Sequence, residues 1–289
     1  MKKRALKGIS RVFAKQSAQE AAMLTDSKMA YLRGELGQVK SAIGDATGRF
    51  TARARMRPDG RFKRTDREEL LRELRRKPGA RPGARIPEQP AFVTNIQRTT
   101  DAVLKRQVRD SAVMVRGHIE AQARAMGLDA SIDRRALLAR TKRIMDKRIE
   151  RFSRRAASDM WRDIRRQTWR SVGKPVGSID EILSKRVKVY ESKLRRIIVT
   201  ESQRAYNVQM LEVMDQVAAQ NRDKRILKRW DATIDKRLCL DCREMHGAVS
   251  ELHAKFSRWD LQAPPLHPYC RCVLTIWASK RGQEKIDGD

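Results

Sequence analysis

The sequence predicts a mainly α protein, in which an extended basic helical body precedes a small α+β module that is stapled by a metal at the C-terminus. Apolar residues recur at steps of three and four along most of the chain, which is the period of an amphipathic helix. Lys and Arg outnumber Asp and Glu by 65 to 35. All four cysteines lie within residues 239–272. Aromatic residues make up only 5% of the 289 residues, which favours helices over one large compact core.

These observations predict four segments. They are a basic helical segment over residues 1–55, a Pro-, Gly- and Arg-rich linker or arm over 56–91, a basic helical domain over 92–229, and a Cys/His module of zinc type over 230–289. The charge follows this division, because residues 1–92, 93–229 and 230–289 carry net charges of +13, +17 and 0. An excess of this size predicts a polyanionic partner, most commonly nucleic acid. Ordinary solvated helix faces are the alternative, but they usually mix both signs.

The first two segments combine one helix with two interruptions. A single apolar stripe predicts the helix in the first segment, and its members are Met29, Leu32, Leu36, Val39 and Ile43. Turn residues at 57–60 and again at 77–83 interrupt regular structure, with a short helix predicted over 67–76. The arm is our candidate for a segment that docks on a protein partner.

The third segment predicts three long helices. The first runs from about residue 92 to Gly127, and the second begins after a cap at Ser131 or Asp133 and continues through Ile164. Trp161 and Trp169 follow on that helix, and we expect both in the core. Residues 174–177 break the helix, a capping box at 178–181 opens the third one, and no strand is expected before Trp230.

Basic residues crowd one face of the second helix and predict contacts with the phosphates of nucleic acid. An anionic membrane or an acidic protein surface would suit the same charge. The predicted nucleic-acid-binding residues are Arg134, Arg135, Arg140, Lys142, Arg143, Lys147, Arg148, Arg151, Arg154 and Arg155.

The cysteine module offers five ligands for the four places of a tetrahedral zinc. They are Cys239, Cys242, His267, Cys270 and Cys272. Thiolates are the stronger donors, which favours four cysteines with His267 holding the loop, whereas the spacing of His267 and Cys270 equals that of Cys239 and Cys242 and favours the histidine as ligand. Short strands are expected over 230–235 and 273–277. A reducing cytoplasm favours metal, and disulfides in the particle are the alternative.

The residues of this module also resemble a known signature. The match comprises Trp230, Asp231, the two cysteine pairs, Gly247, and Pro265 to Cys272, together with the string Thr200 to Asn207 upstream. Over about residues 195–277, this pattern resembles the C-terminal signature of the phage Mu F-like head morphogenesis proteins. The resemblance implies a minor capsid protein that is associated with the portal inside the head.

The resemblance and the charge together lead to a set of expected partners. We expect contacts with the portal protein, the major capsid protein and packaged double-stranded DNA, in multiple copies per particle and without a membrane. The expected location is the head interior near the portal, after synthesis in the host cytoplasm, because the basic N-terminus lacks the apolar stretch of a signal or membrane span.

Two other functions compete with DNA binding. The first is a structural adaptor that clamps portal or capsid proteins without touching DNA. The second is a zinc-dependent nuclease, with His246, His253 or His267 as base and Glu244 or Glu251 assisting. A catalytic zinc keeps one coordination place open, whereas this site has surplus ligands, so we expect a structural zinc and no enzyme.

Overall fold

The computed structural model describes residues 28–52, 60–76 and 86–280. The first helix, α1, covers residues 28–52 of this part of the chain. The other helices are α2 (Arg64–Arg75), α3 (Ala91–Ala125), α4 (Arg134–Arg170), a 3-10 turn (Val176–Ser178), α5 (Ile179–Gln220) and α6 (Leu240–Met245). The strands are β1 (Lys224–Asp231), β2 (Val249–Glu251) and β3 (Val273–Lys280). The predicted mainly α chain with a small α+β module at its C-terminus is confirmed.

The helix signals in the sequence agree with the structure in the buried face of α1, the end of α3 and the start of α4. All five members of the apolar stripe on α1 are buried. The α3 helix stops before Gly127, whose φ of +63° lies in the left-handed region that favours glycine. Asp133, the second of the two predicted caps, opens α4, since its carboxylate accepts from the backbone N–H groups of Arg135 at 2.8 Å and Ala136 at 3.1 Å.

The chain divides into two compact units. Among the described residues, the first comprises Leu104–Ile149 and 196–280, and the second comprises 28–52, 60–76, 86–103 and Glu150–Arg195. Within the predicted arm, α2 lies in the second unit and buries Leu70, Leu71 and Leu74. The turn at 77–83 and most of the turn at 57–60 lie outside the described residues.

The sheet of the first unit has the order β2-β1-β3, and both pairings are antiparallel. The expectation that no strand precedes Trp230 is wrong, because β1 begins at Lys224. Two charged residues, Lys228 and Arg229, interrupt the apolar pattern that would indicate this central strand, although both side chains are buried. The Lys228 ammonium donates to the carbonyls of Leu252 at 3.0 Å and Ala254 at 2.5 Å, so that its charge is solvated by backbone oxygens.

The sheet has no separate core of its own. Trp230, Leu274 and Ile276 belong to one hydrophobic cluster with Val115 and Ile119 of α3 and with Met210, Val213 and Met214 of α5. Trp230 is fully buried, and its ring packs edge-on against Phe256 with centroids 5.3 Å apart. The module is therefore stabilised by burial against the long helices of the first unit.

Amide side chains from the helices cover the outer edge of β3. Gln203 and Asn207 of α5 donate to the carbonyl of Cys272 at 2.8 and 3.2 Å. Asn207 also accepts from the N–H of Leu274 at 2.7 Å, and Gln122 of α3 accepts from the N–H of Ile276 at 3.1 Å. An uncovered edge strand leaves unpaired backbone groups, so these contacts fix β3, and with it Cys272, on the helices.

We predict that Asn207→Ala lowers the free energy of unfolding by about 1–3 kcal/mol, because the buried N–H of Leu274 loses its acceptor. Urea unfolding followed by circular dichroism measures the change. Asn95→Ala is the control, since Asn95 is an exposed residue of α3 and this substitution should leave stability nearly unchanged. Equal stability of Asn207→Ala and the control would contradict the role given to this edge contact.

Candidate metal centre

The first pair of cysteines is positioned by the start of α6. Cys239 is the N-cap of this helix, and its sulfur accepts from the N–H of Cys242 at 3.3 Å. Gly247 follows the helix with φ +89°, and its N–H donates to the carbonyl of Trp230 at 2.8 Å. The two cysteine sulfurs therefore face the same side of a short helix that is tied to the end of β1.

The remaining donors lie on the loop that leads into β3. The N–H of Cys270 donates to the carbonyl of His267 at 3.1 Å, which closes a tight turn. Tyr269 has φ +62° within it, and its N–H donates to the Thr200 hydroxyl of α5 at 3.2 Å. Thr200, Gln203 and Asn207 thus hold this loop from one face of α5, at the spacing of successive helical turns.

The five predicted ligands come together as one thiol–imidazole cluster, defined as Cys239, Cys242, His267, Cys270 and Cys272. The side chains form two groups that share Cys242: Cys239, Cys242 and His267 in one, and Cys242, Cys270 and Cys272 in the other. Ligand atoms within each group lie no more than 4.8 Å apart. None of the four cysteines forms a disulfide, and the sulfurs of Cys242 and Cys270 are 3.7 Å apart.

The orientation of His267 is fixed from outside the cluster. Its Nδ1 lies 2.7 Å from the carbonyl oxygen of Pro268, which can only accept, so Nδ1 carries the proton. The other nitrogen, Nε2, lies 3.0 Å from the sulfur of Cys239 and 3.1 Å from that of Cys242. A metal-binding histidine typically has this arrangement, with one nitrogen held by a carbonyl and the other directed at the metal.

Electrostatics inside the cluster favour thiolate at two of its cysteines, Cys239 and Cys270, where the pKa lies below its usual value. Burial raises the pKa of the Cys239 thiol, but hydrogen bonds from Cys242 and His267 outweigh burial and leave the pKa below its usual value. Hydrogen bonds with Cys242 and Cys272 lower the pKa of Cys270, while the bond to Cys270 raises the pKa of Cys242, which keeps its proton. Since the thiolate is the form that binds metal, the cluster is chemically suited to a thiophilic ion.

Charged neighbours hold the surroundings in place. Arg271 forms a bidentate ion pair with Asp235, with N–O distances of 2.5 and 2.6 Å. That pair lowers the pKa of Asp235 to about 2. On α5, the buried carboxylate of Glu201 lies 2.6 Å from Arg148 and 3.5 Å from Arg204, and the Arg204 guanidinium interacts electrostatically with Cys270. Arginines therefore offset part of the negative charge of the thiolates.

The donor set fits a zinc ion in number and in chemistry. Zinc prefers sulfur and imidazole nitrogen, and around a tetrahedral ion two thiolate sulfurs lie about 3.8 Å apart, close to the distance between Cys242 and Cys270. Cys270 and Cys272 are buried and Cys239 is partly exposed, so an ion would be largely shielded from water. The coarse prediction of a potential metal site at these residues is confirmed.

The side chains considered for a nuclease have other partners. His246 Nδ1 accepts from the N–H of Ala232 at 3.1 Å, and His253 lies 3.3 Å from Asp215. Glu244 pairs with Arg258 at 2.5 Å, and Glu251 pairs with Arg225. Among the described residues, no group of potential metal ligands includes any of these four.

The ten predicted nucleic-acid-binding residues all lie on α4, but they differ in their contacts. Arg148 is half-buried against Glu201, and Arg140 lies 2.8 Å from Glu212. Arg154 pairs with Glu150 at 2.5 Å, and Arg155 lies 3.9 Å from Asp159. The other six are exposed and have no carboxylate partner within the described residues: Arg134, Arg135, Lys142, Arg143, Lys147 and Arg151.

The expectation that both tryptophans of α4 lie in the core is right for Trp161 and wrong for Trp169. Trp161 is buried and packs edge-on against Phe92, as expected. Trp169 is not in the core, because 49% of it is exposed and the guanidinium groups of Arg64 and Arg67 lie over its ring. A separation of eight residues corresponds to two full helical turns plus about 80°, so the two side chains do not lie on the same face of α4.

Two features could not be predicted from sequence patterns: the contact of Gln122 with β3, and the arginines around Trp169. Gln122 is one polar residue within the helical pattern of α3, and nothing in that pattern indicates that it binds a strand. The arginines around Trp169 come from α2 and α4, and only the tertiary structure brings them together.

No helix in the described part of the chain has an apolar stretch of the length and hydropathy needed to cross a membrane.

Part of the chain matches a known protein family. Residues 162–275 match the family model described as phage Mu protein F like protein. No curated protein and no solved structure matches the chain. The matched range includes all of α5, β1 and β2, the first three residues of β3, and the whole thiol–imidazole cluster, so the match covers the residues that build the candidate metal centre. Residues 162–275 are therefore similar to the phage Mu F-like proteins, the family whose signature this part of the sequence resembles.

Proposed function

We propose that this protein is a minor capsid protein of the phage head, located inside the head near the portal, where it binds packaged DNA through phosphates. The family match over residues 162–275 supports a role in head morphogenesis and association with other capsid components. The single observation that carries the DNA-binding part is the row of uncompensated cations on α4. Portal and major capsid proteins are its proposed partners, with several copies in each particle.

The most regular part of the basic surface is a stripe of three residues, Arg143, Lys147 and Arg151. They follow one another at steps of four along α4, which places them on one side of the helix about 6 Å apart along its axis. All three are exposed. Such a stripe binds a phosphate backbone without reading its sequence, which suits a protein enclosed with DNA of any sequence.

A structural zinc is the second part of the proposal. We propose that Cys239, Cys242, His267 and Cys270 bind it, with Cys272 as an adjacent thiol. The fixed tautomer of His267 supports this set, since Nε2 has two sulfurs close by. The alternative set replaces His267 by Cys272, which lies with Cys242 and Cys270. In either set four protein ligands fill the coordination shell, which favours a structural role over catalysis.

An adaptor that binds capsid or portal proteins without DNA is the second candidate function. The ion pairs of Arg140 and Arg148 favour it to a limited degree, because these two cations already serve to hold α4 and α5 together. In an adaptor, acidic surfaces of portal or capsid proteins, rather than DNA phosphates, would bind the remaining exposed cations. The salt dependence of DNA binding separates the two functions.

For DNA binding, we predict that affinity for a duplex of arbitrary sequence falls steeply as salt rises. Arg143→Gln/Lys147→Gln/Arg151→Gln should reduce the slope of log affinity against log salt by about 2.7, because three phosphate contacts are lost. Filter binding at four or more salt concentrations provides the slope.

The matched control for this variant is Arg98→Gln/Arg124→Gln/Lys188→Gln. It removes the same charge from exposed positions on α3 and α5. We expect it to change the slope much less. If both triple variants change the slope equally, the stripe has no special role in DNA binding. An affinity for duplex DNA that does not depend on salt would contradict DNA binding as the function.

For the metal site, we predict about one zinc per chain by elemental analysis, released when the thiols are blocked. Cys239→Ser/Cys242→Ser should abolish it. His267→Ala should lose zinc, whereas Cys272→Ser should retain it, if our ligand set is right. His253→Ala is the control, because that histidine is exposed and lies outside the cluster. Absence of both metal and free thiols would instead indicate disulfides.

A further inference from the structure

An arginine cleft in the second unit is separate from both proposed sites. Its lining residues are Arg64, Arg67, Glu68, Arg162, Arg165, Arg166 and Trp169, around a volume of about 650 Å³. The first turns of α2 and the last turns of α4 form its walls. None of these residues belongs to the predicted set on α4 or to the metal centre.

Backbone pairing sets the two walls side by side. The N–H of Phe62 donates to the carbonyl of Lys174 at 2.8 Å, and the N–H of Gly173 donates to the carbonyl of Phe62 at 2.7 Å. The Phe62 side chain is buried, edge-on to Phe50 at a centroid distance of 5.6 Å. The segment just before α2 is thus anchored to the segment just after α4, so the cleft is part of the folded unit.

The cleft carries an unbalanced positive charge. Five guanidinium groups surround one carboxylate, that of Glu68, which pairs with Arg67. Arg162 pairs with Asp159 at 2.9 Å. Arg64, Arg165 and Arg166 have no carboxylate partner in the described ranges. Like charges held this close repel one another, so an anionic ligand would stabilise the arrangement.

Trp169 gives the cleft a second kind of surface. Half of the indole is open to solvent, and the guanidinium carbons of Arg64 and Arg67 lie 5.3 and 4.9 Å from the ring centroid. In addition, the Nε of Arg67 is buried and makes no hydrogen bond. Stacking against the indole orders these guanidinium planes and leaves N–H groups available for a ligand.

We propose that the arginine cleft binds unpaired nucleotides, with phosphates on the arginines and a base packed against Trp169 or a guanidinium plane. The inference rests on the proposed function, which already brings the protein to nucleic acid, and it adds a preference for single strands at a second site. In a duplex the bases are stacked inside, so an exposed indole would add nothing to phosphate contacts. Unpaired bases, in contrast, stack on aromatic rings and on arginine planes.

An acidic protein segment is the competing ligand. Carboxylates would satisfy the guanidinium groups, but they have no flat face to cover the open indole. A nucleotide supplies both the anion and the flat ring, which is why the cleft fits it better.

The test compares a fluorescein-labelled 20-nucleotide oligothymidine with a duplex of the same length by fluorescence anisotropy, using the full-length protein. We expect Trp169→Ala to weaken binding of the single strand by about tenfold or more and to affect the duplex much less. Arg165→Gln/Arg166→Gln should reduce the salt slope for the single strand by about 1.4. Both arginines are exposed, so this second variant should fold normally.

The control is Arg98→Gln/Arg124→Gln, which removes the same charge from exposed sites outside the cleft. Three outcomes would overturn the inference: a loss in the control equal to that in Arg165→Gln/Arg166→Gln, an equal loss of single strand and duplex in Trp169→Ala, or displacement of the single strand by polyglutamate at equal charge concentration. If the cleft variants bind the single strand as tightly as the wild type does, while duplex binding keeps its steep salt dependence, the inference fails and the proposed function stands.

Discussion

The C-terminal sheet depends on its attachment to α5. Gln203 and Asn207 bind the carbonyl of Cys272, and Asn207 also binds the N–H of Leu274, so one helix face fixes both the edge of β3 and a member of the thiol–imidazole cluster. The sheet could not bury enough apolar area by itself. Its apolar residues share a cluster with α3 and α5, and the side chains of the thiol–imidazole cluster come from the start of α6 and from the loop that leads into β3.

Charge has two distinct roles in the chain. Inside the folded units, arginines neutralise buried carboxylates, as Arg148 does for Glu201, and these pairs are part of the packing. On the surface, Arg143, Lys147 and Arg151 have no such partners among the described residues and are available to a polyanion. The net charge of +30 therefore overstates the number of cations that are available to a polyanion, because some of them are already paired within the fold.

Much of the fold followed from the sequence, since helical periodicity, the stop at Gly127 and the cap at Asp133 are local signals. The cysteine spacing likewise predicted which side chains would meet. What the sequence could not supply were tertiary effects. The sequence did not reveal the central strand, because the charge of Lys228 is solvated by two backbone carbonyls that only the fold supplies. Trp169 was expected in the core, but about 80° of helical rotation separates it from the buried Trp161. The family match covers residues 162–275, which explains why the α2 half of the arginine cleft carried no family signal.

We propose that a bound metal links the loops of the C-terminal module to a sheet that is held by α5. Hydrogen exchange of the full-length protein, measured before and after metal removal with a chelator under reducing conditions, tests it most directly. We expect amides of residues 239–245 and 267–272 to lose protection when the metal is removed, while residues 206–217 of α5 stay protected by their packing against α3. Identical protection of both loops with and without metal would contradict it.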